Sequence, residues 1–447
     1  MKKQGLNIPR NYNTAAPLAV RAEGIYIYDE NDKRYIDGCC GALIANIGYC
    51  VPEVVEAIVK QLRTLNFAHP SRWKNEAIET AAEKLAELTP GDLNNIWFVS
   101  GGSEAIESAL KLARQYYVER DGKSSSKHLF IGRWNSYHGG TLGCMAVAGN
   151  MSRRKIFSPL FMEHPKIEPH YCYRCPFGLQ YPACDIRCAR QLEETILRMG
   201  AESIVAFIAE PVVGSTVGAL VPPVEYWPLV RDICNRYDIL LIADEVMTGM
   251  GRTGKAFCLD HWDVVPDIIA SAKGMAAGYM PAGGIFVSNT LMDVIKKESG
   301  NFAHGHTYNA NPLVGAAVSA VVDYIKKHNL IENAAKQGER LEEEIRSLEE
   351  IPIVGDLRGL GLMRGVELVA DKKTKKPFPA KEKAAALVAA ECMSRGLVIY
   401  PSSGMVNGGT AGDNFLLAPA LTVTEGQIVE IVGILRESLT AAAELLL

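Results

Sequence analysis

The chain has 447 residues, of which 48% are hydrophobic and 22% are charged, so it has enough material for a large core and more than one domain. Its 47 basic and 51 acidic residues leave a net charge of −4. This balance argues against a nucleic-acid-binding protein, which usually carries a basic excess. The odd number of 11 cysteines, with Cys39 and Cys40 adjacent, is typical of reduced thiols rather than of a disulfide framework.

Neither a secretory leader nor a membrane span is predicted. The opening MKKQGLNIPRNYN has two lysines but lacks an apolar stretch behind them. No apolar run in the sequence approaches the roughly 18 residues that a membrane-spanning helix needs. We therefore expect a cytoplasmic protein.

The N-terminal part is predicted to form a hairpin followed by two helices. Residues 24–37, GIYIYDENDKRYID, alternate apolar and polar side chains around a turn-forming DEND, which predicts a β-hairpin. The segments PEVVEAIVKQLRTL and NEAIETAAEKLAELTPGD have the apolar spacing of amphipathic helices.

From Trp97 onward, short apolar runs alternate with helical stretches; the runs are IWFVS, HLFIG, IVAFIAEP, ILLIADE, DIIASAK and GGIFVS. Runs of this kind are typical of a mostly parallel sheet covered on both faces. The last part begins with a charged helix and continues with the strands LRGLGLMRGVELV, GLVIYP and NFLLAPA. We expect an α/β fold with a large domain at 66–325 and a smaller α+β domain built from 1–65 and 326–447.

Two charged residues stand at the ends of predicted buried strands. Asp244 ends the run ILLIAD and Lys273 ends the run DIIASAK. Ligands bind at the carboxyl ends of parallel strands, and a buried lysine has a lowered pKa that makes it a nucleophile toward carbonyl groups. A lysine paired with an aspartate able to hold a pyridinium nitrogen indicates pyridoxal phosphate. A buried ion pair without any chemistry is the alternative.

Two further motifs favour the cofactor. The strand IWFVS runs into Gly101–Ser103 and then into a helix, and such a turn can bind a phosphate, although it can also serve only as a helix cap. The segment NSYHGGT could present the ring of Tyr137 to a flat cofactor, or it could form a structural turn.

These residues resemble those of the class III (ω-amino acid) aminotransferases, pyridoxal-phosphate enzymes of fold type I. The resemblance begins near Pro17 and reaches the C-terminus. The motifs that carry it are GGSEAIESALKLAR, YHG, AEPVVG, ADEVMTGMGRTGKAF, SAKGMAAGYMPAGG and HTYNANPL.

The resemblance implies a role for each matching residue. Lys273 and Asp244 match the catalytic residues: the lysine forms the Schiff base with the cofactor, and the aspartate bonds its pyridine nitrogen. The remaining expected cofactor-binding residues are Gly102 and Ser103 at the phosphate, Tyr137, His138 and Val246 around the ring, Glu210 beside the cofactor, and Thr307, which reaches in from the neighbouring subunit. A homodimer follows from the family.

The substrate region departs from the pattern of the family. Leu416 and Ala411 stand where relatives often have an arginine that binds a carboxylate. We therefore expect an ω-amino acid or a primary amine as donor and a keto acid such as pyruvate, rather than 2-oxoglutarate, as acceptor. Arg72, in HPSRW, is a candidate for the group that binds the carboxylate, and a plain surface arginine without such a role is the favoured alternative. An amino-acid racemase, epimerase or aminomutase of the same fold is the alternative activity.

The segment CYRCPFGLQYPACDIRC contains four cysteines, Cys172, Cys175, Cys184 and Cys188. Four thiolates at this spacing could bind zinc or an iron–sulfur cluster, or they could be small side chains packed in a loop. Our prediction includes no metal. A metal-organised binding or scaffold protein is a further alternative, and it requires all the cofactor motifs to be relics.

Overall fold

The computed structural model describes residues 7–8, 11, 16–122 and 124–447. Parts of the predicted segment 1–65, namely residues 1–6, 9–10 and 12–15, lie outside the described residues, as does residue 123. The strands are β1 Ala19–Glu23, β2 Tyr26–Asp29, β3 Arg34–Asp37, β4 Asn95–Val99, β5 Leu129–Arg133, β6 Lys166–Ile167, β7 Ile204–Ala209, β8 Leu240–Asp244, β9 Ile268–Ala272, β10 Gly283–Val287, β11 Val354–Leu360, β12 Met363–Leu368, β13 Leu397–Val398, β14 Tyr400–Val406 and β15 Ala411–Leu417. The α-helices are α1 Cys40–Leu43, α2 Pro52–Thr64, α3 Glu76–Ala86, α4 Gly102–Asp121, α5 Leu142–Val147, α6 Met151–Arg154, α7 Arg187–Met199, α8 Tyr226–Arg236, α9 Asn289–Lys297, α10 Pro312–Lys327, α11 Leu330–Arg346, α12 Ala384–Ser394 and α13 Glu425–Leu446.

The largest sheet has seven strands in the order β4–β10–β9–β8–β7–β5–β6. Strands β6, β5, β7, β8 and β9 pair in parallel, whereas β10 is antiparallel to both of its neighbours. The prediction of a large, mostly parallel sheet is confirmed, with β10 as the strand that departs from it.

The central strands are buried on both faces, which explains their unbroken apolar sequence. Along β8, Leu240 and Ile242 pack in one apolar cluster with residues of α4, while Leu241 and Ala243 pack in another with residues of α8. This alternation follows from the two-residue period of a strand. The sheet is therefore held between two helical layers.

Two four-stranded sheets complete the fold, in the orders β1–β2–β3–β13 and β11–β12–β15–β14. The predicted hairpin is confirmed as β2 and β3, with Tyr26 opposite Ile36. Strand β1, which the sequence analysis did not predict, extends it. Strand β13 pairs in parallel with β3, so segments from the two ends of the chain share one sheet. The boundaries 1–65, 66–325 and 326–447 stay a prediction.

Within the described residues, no helix combines the length and the apolar character needed to cross a membrane.

Candidate active site

A cavity of about 450 Å³ lies at the carboxyl ends of the parallel strands, where open α/β sheets bind their ligands. Its floor and walls come from the segments that follow β4, β5, β7, β8 and β9. Eight of the nine residues expected to hold the cofactor line this single cavity: Gly102, Ser103, Tyr137, His138, Glu210, Asp244, Val246 and Lys273.

Lys273 follows the last residue of β9, and its backbone φ of 42° places it in the left-handed region. A non-glycine residue there costs about 1–3 kcal/mol, and such strain is concentrated at functional sites. The pKa of Lys273 is lowered to about 8, chiefly because the side chain is buried, while the charge of Asp244 opposes the shift. A large fraction of this amine is therefore neutral, and hence nucleophilic, near pH 8.

Asp244, the last residue of β8, is buried and hydrogen-bonded on both oxygens. Its Oδ2 lies 2.7 Å from Nδ1 of the buried His138, and its Oδ1 accepts a hydrogen bond of 3.1 Å from the backbone N–H of Val246. The two hydrogen bonds fix the orientation of the carboxylate at the carboxyl end of β8.

An anion site is formed where β4 turns into α4. The first amides of a helix have no partner within the helix, and here they belong to Gly102 and Ser103. The Ser103 hydroxyl is held in place by the backbone N–H of Gly140, which donates to its Oγ at 3.0 Å. A Cβ added to Gly102 would lie 3.1 Å from Cγ1 of Val246, so a larger residue would crowd the cavity.

Tyr137 and Glu210 are joined at the opposite wall. The backbone N–H of Tyr137 donates to Oε1 of Glu210 at 3.1 Å, and Nη2 of the buried Arg133 lies 3.6 Å from Oε2. Burial raises the pKa of Glu210. The carboxylate thus holds the backbone of the segment that presents the Tyr137 ring.

Arg153, which lies beside the cavity without lining it, is a residue that the sequence analysis missed. Its Cζ lies 4.3 Å from the centroid of the Tyr137 ring, and its charge lowers the pKa of Lys273. In the described part of the chain, no carboxylate lies within ion-pair distance of Arg153. The only sequence signal was the pair Arg153–Arg154 at the end of α6, and its second member is paired with Glu163 instead.

Other predicted residues lie elsewhere. Thr307 is exposed and does not line the cavity of its own chain, and Arg72 is exposed in a turn. Leu416 is completely buried in an apolar cluster with Val212, and Ala411 begins β15. Neither of the two residues that replace the arginines of relatives lines the cavity.

The four clustered cysteines line one small cavity beside α7. Burial and the neighbouring thiols raise the pKa of Cys172, and the same causes raise that of Cys188 to about 12. Over the described residues, we find no group of three or more His, Cys, Asp or Glu side chains arranged to hold a metal ion. Because their pKa values are raised, the thiols of Cys172 and Cys188 are protonated at neutral pH.

The cavity fits pyridoxal phosphate. The start of α4 can hold a phosphate, Asp244 can pair with a protonated ring nitrogen, and Lys273 can react with an aldehyde. Two buried polar atoms, Nε2 of His138 and Oε2 of Glu210, lack a hydrogen-bond partner among the described residues and can face a polar ligand.

Comparisons with known proteins agree with the assignment of this cavity to pyridoxal phosphate. Residues 8–439 match the family described as "Aminotransferase class-III". The "Uncharacterized aminotransferase YodT" of Bacillus subtilis is 39% identical over 96% of each chain, and the "Putrescine--pyruvate aminotransferase" of Pseudomonas aeruginosa is 33% identical over 96% of this chain and 92% of that protein. The crystal structure of an (S)-enantioselective omega-transaminase from Thermomicrobium roseum has a TM-score of 0.89 and 34% identity, covering 99% of this chain and 96% of that one.

The fold and the cavity define a pyridoxal-phosphate enzyme of fold type I. The chain belongs to the class III aminotransferases, and it is a pyridoxal-phosphate-dependent aminotransferase. This finding favours the predicted enzyme over the alternative of a metal-organised scaffold.

Proposed function

We propose that this aminotransferase moves an amino group from a primary amine or an ω-amino acid to a keto acid such as pyruvate. The observation that carries the proposal is the convergence, in one cavity, of the Lys273 amine and the buried His138–Asp244 pair. Pyridoxal phosphate, when bound, supplies an aldehyde that takes up the amino group and a ring that accepts electrons.

Lys273 has two tasks in this proposal. Its neutral amine would hold the cofactor through the aldehyde group that pyridoxal phosphate supplies, until a donor amine takes the place of Lys273. The freed Nζ then removes the proton from the substrate carbon that bears nitrogen, acting as general base. A lysine with its pKa lowered to about 8 is suited to both tasks, because it can lose and regain a proton near neutral pH.

His138, Asp244 and Tyr137 orient the cofactor in this proposal. Asp244 holds the proton on the ring nitrogen, and the hydrogen bond from His138 fixes the direction of the carboxylate. The guanidinium of Arg153 lies over the Tyr137 ring, with its Cζ 4.3 Å from the centroid. The unpaired amides of Gly102 and Ser103 would bind the phosphate group.

Arg153 is also the group that we assign to the carboxylate of the acceptor. Arg153 lies beside Tyr137, and its charge lowers the pKa of Lys273. Arg72, in contrast, is exposed in a turn of the same chain. A guanidinium binds a carboxylate through two parallel hydrogen bonds. An uncharged donor end is accepted as well, because Ile44, Met247 and Met280 form an apolar part of the cavity.

Two copies of the chain form the complete site in this proposal, with Thr307 of each copy reaching the phosphate held by the other. The exposure of Thr307 and of the adjacent Tyr308 supports this assignment. Mixing a Lys273→Ala chain with a Thr307→Ala chain, under conditions that exchange subunits, should restore one site in a mixed dimer. Failure to regain activity after exchange is verified would contradict a shared site.

The substrate assignment is tested by a panel of donors and acceptors. We expect primary amines and ω-amino acids with pyruvate to give the highest kcat/KM. Racemisation of an amino acid without any added keto acid would favour the alternative activity. Glutamate outperforming every amine, with a plain aldehyde as acceptor, would contradict the proposal.

A further inference from the structure

Arg252 lies in the segment between β8 and β9, and its side chain is completely buried. Its Nη1 donates hydrogen bonds to the backbone oxygens of Leu362 and Pro419, the first at 3.2 Å. Its Nη2 donates to Oδ1 of Asn46 at 2.7 Å and to Sγ of Cys40 at 3.6 Å. Cys40 and Asn46 follow β3 of one small sheet, whereas Leu362 and Pro419 adjoin strands of the other. Segments from all three sheets therefore meet at this guanidinium.

The four acceptors of Arg252 are uncharged, since burial keeps the Cys40 thiol protonated by raising its pKa to about 12. In the part of the chain that the structure describes, no carboxylate lies within ion-pair distance of this guanidinium. A buried cation without a counter-charge is costly, and a contact between sheets does not by itself require one. The charge of Arg252 lowers the pKa of Lys273, so the guanidinium acts on the active-site lysine.

The amide group of Asn46 packs directly against the residue that follows Lys273. A Cβ added to Gly274 would lie only 2.2 Å from Nδ2 of Asn46, which leaves no room for a side chain at this position. The backbone oxygen of Asn46 accepts a hydrogen bond of 2.7 Å from the N–H of Leu421. Asn46 is thus fixed through its backbone by Leu421 and through its side chain by Arg252.

The backbone of Lys273 needs support from its neighbours, because its φ of 42° lies in the left-handed region. A non-glycine residue stays in that region only where the surrounding structure determines its conformation. On one side of the lysine, β9 is fixed as far as Ala272 by its pairing with β10. On the other side, the Asn46 amide restricts Gly274. The strained residue is therefore held from both sides.

We propose that Arg252 and Asn46 are positioning residues that hold the backbone of Lys273 in the conformation that directs its side chain into the active-site cavity. Arg252 acts through Asn46, because its planar guanidinium orients the amide as well as binding it. Asn46 acts through its contact with Gly274. This inference rests on the proposed function, in which Lys273 holds the cofactor and moves a proton.

The first test removes the amide. Asn46→Ala should lower kcat of the holoenzyme by about tenfold to a hundredfold and leave KM for the donor within about threefold, because a displaced lysine impairs proton transfer more than binding. Asn333→Ala is the matched control: its amide also bonds this part of the chain, at the backbone oxygens of Leu421 and Val423, but does not line the active-site cavity. An unchanged kcat in Asn46→Ala, or an equal loss in Asn333→Ala, would overturn the inference.

The second test examines the contact itself. The methyl group of Gly274→Ala would meet the Asn46 amide at 2.2 Å, so this variant should lose kcat by at least about a hundredfold. Asn46→Ala removes that obstacle, so the double variant should be about tenfold more active than Gly274→Ala alone. A double variant no more active than Gly274→Ala would overturn the inference.

The third test measures the backbone in the cofactor-free protein, by hydrogen exchange of the peptide that contains Lys273. This peptide should exchange about tenfold faster in Asn46→Ala than in the wild type, while a peptide from α7 keeps its rate. Arg252→Lys keeps the charge but loses the planar fork, so it should show the same faster exchange around Lys273. An unchanged rate around Lys273 in either variant, or an equal rise in α7, would overturn the inference.

The two proposals fail in different ways. If the cofactor proved to be attached to another lysine while Asn46→Ala still loosened the backbone around Lys273, the proposed role of Lys273 would be wrong and the positioning would stand. If Lys273 carried the cofactor while Asn46→Ala kept the wild-type kcat and exchange rate, the positioning would be wrong and the proposed function would stand.

Discussion

Nδ1 of His138 lies 2.7 Å from Oδ2 of Asp244, and both side chains are buried. An ionised carboxylate only accepts hydrogen bonds, so Nδ1 is the protonated nitrogen when Asp244 is charged. The imidazole therefore fixes the direction in which the carboxylate faces the cavity. His138 is a positioning residue, since it acts through Asp244.

The first prediction concerns this pair. His138→Ala removes a hydrogen bond to a charged group, which contributes about 1.5–3 kcal/mol, so pyridoxal phosphate should bind about tenfold to a hundredfold more weakly. Titration of the cofactor-free protein, followed by absorbance, measures this affinity. His138→Gln retains an N–H donor and should recover part of the loss. Unchanged affinity in His138→Ala would contradict the positioning role.

The second prediction concerns the pKa of Lys273. In the cofactor-free protein, carbamylation of Lys273 by cyanate should rise with pH around a midpoint of about 8, because only the neutral amine reacts. Asp244→Asn removes a negative charge that raises this pKa, so the midpoint should move to lower pH. Peptide mass spectrometry at each pH measures the modified fraction. A midpoint near the ordinary lysine value of 10.5 would show that burial does not perturb this amine.

The third prediction separates the phosphate site from the rest of the cavity. Ser103→Ala removes a hydroxyl but leaves the amides at the start of α4 in place. The preference of the cofactor-free protein for pyridoxal phosphate over pyridoxal should fall by about tenfold, in keeping with the loss of one hydrogen bond to a charged group. An equal loss of affinity for both compounds would place the effect outside the phosphate site.

The fourth prediction tests the carboxylate site. Arg153→Gln should lower kcat/KM for pyruvate by about tenfold to a hundredfold, while an aldehyde acceptor without a carboxylate should be affected by less than about threefold. Arg72→Gln serves as the control. A selective loss for pyruvate in Arg72→Gln, with Arg153→Gln unaffected, would move the assignment to Arg72.

Much of this fold could be predicted because each central strand of the large sheet is marked by its own short stretch of sequence. The runs that end in Asp244 and Lys273 are unbroken apolar stretches, since both faces of their strands are buried. Strand β10 has the same composition, and its antiparallel direction depends on the path of the chain rather than on its own residues. Strand β1 is largely exposed, so it shows little apolar alternation to mark it.

Site residues could be predicted where the residue type itself indicates the chemistry. They could not be predicted where only the tertiary packing brings a residue to the site. Lys273 and Asp244 stand out because charged residues seldom end buried strands. Arg153 lies in an ordinary basic segment, and only the folded chain brings it onto the ring of Tyr137. Leu416 was expected to face the substrate, but the folded chain buries it in an apolar cluster.

The most direct test of the account is to find which residue carries the cofactor. The purified holoenzyme is reduced with borohydride, digested and mapped by mass spectrometry, with Lys273→Ala as the matched variant. The account predicts a covalent cofactor mass on the peptide that contains Lys273, its absence from the variant, and a loss of transaminase activity in the variant by at least about a hundredfold. A cofactor mass on another lysine, or an active Lys273→Ala protein, would contradict it.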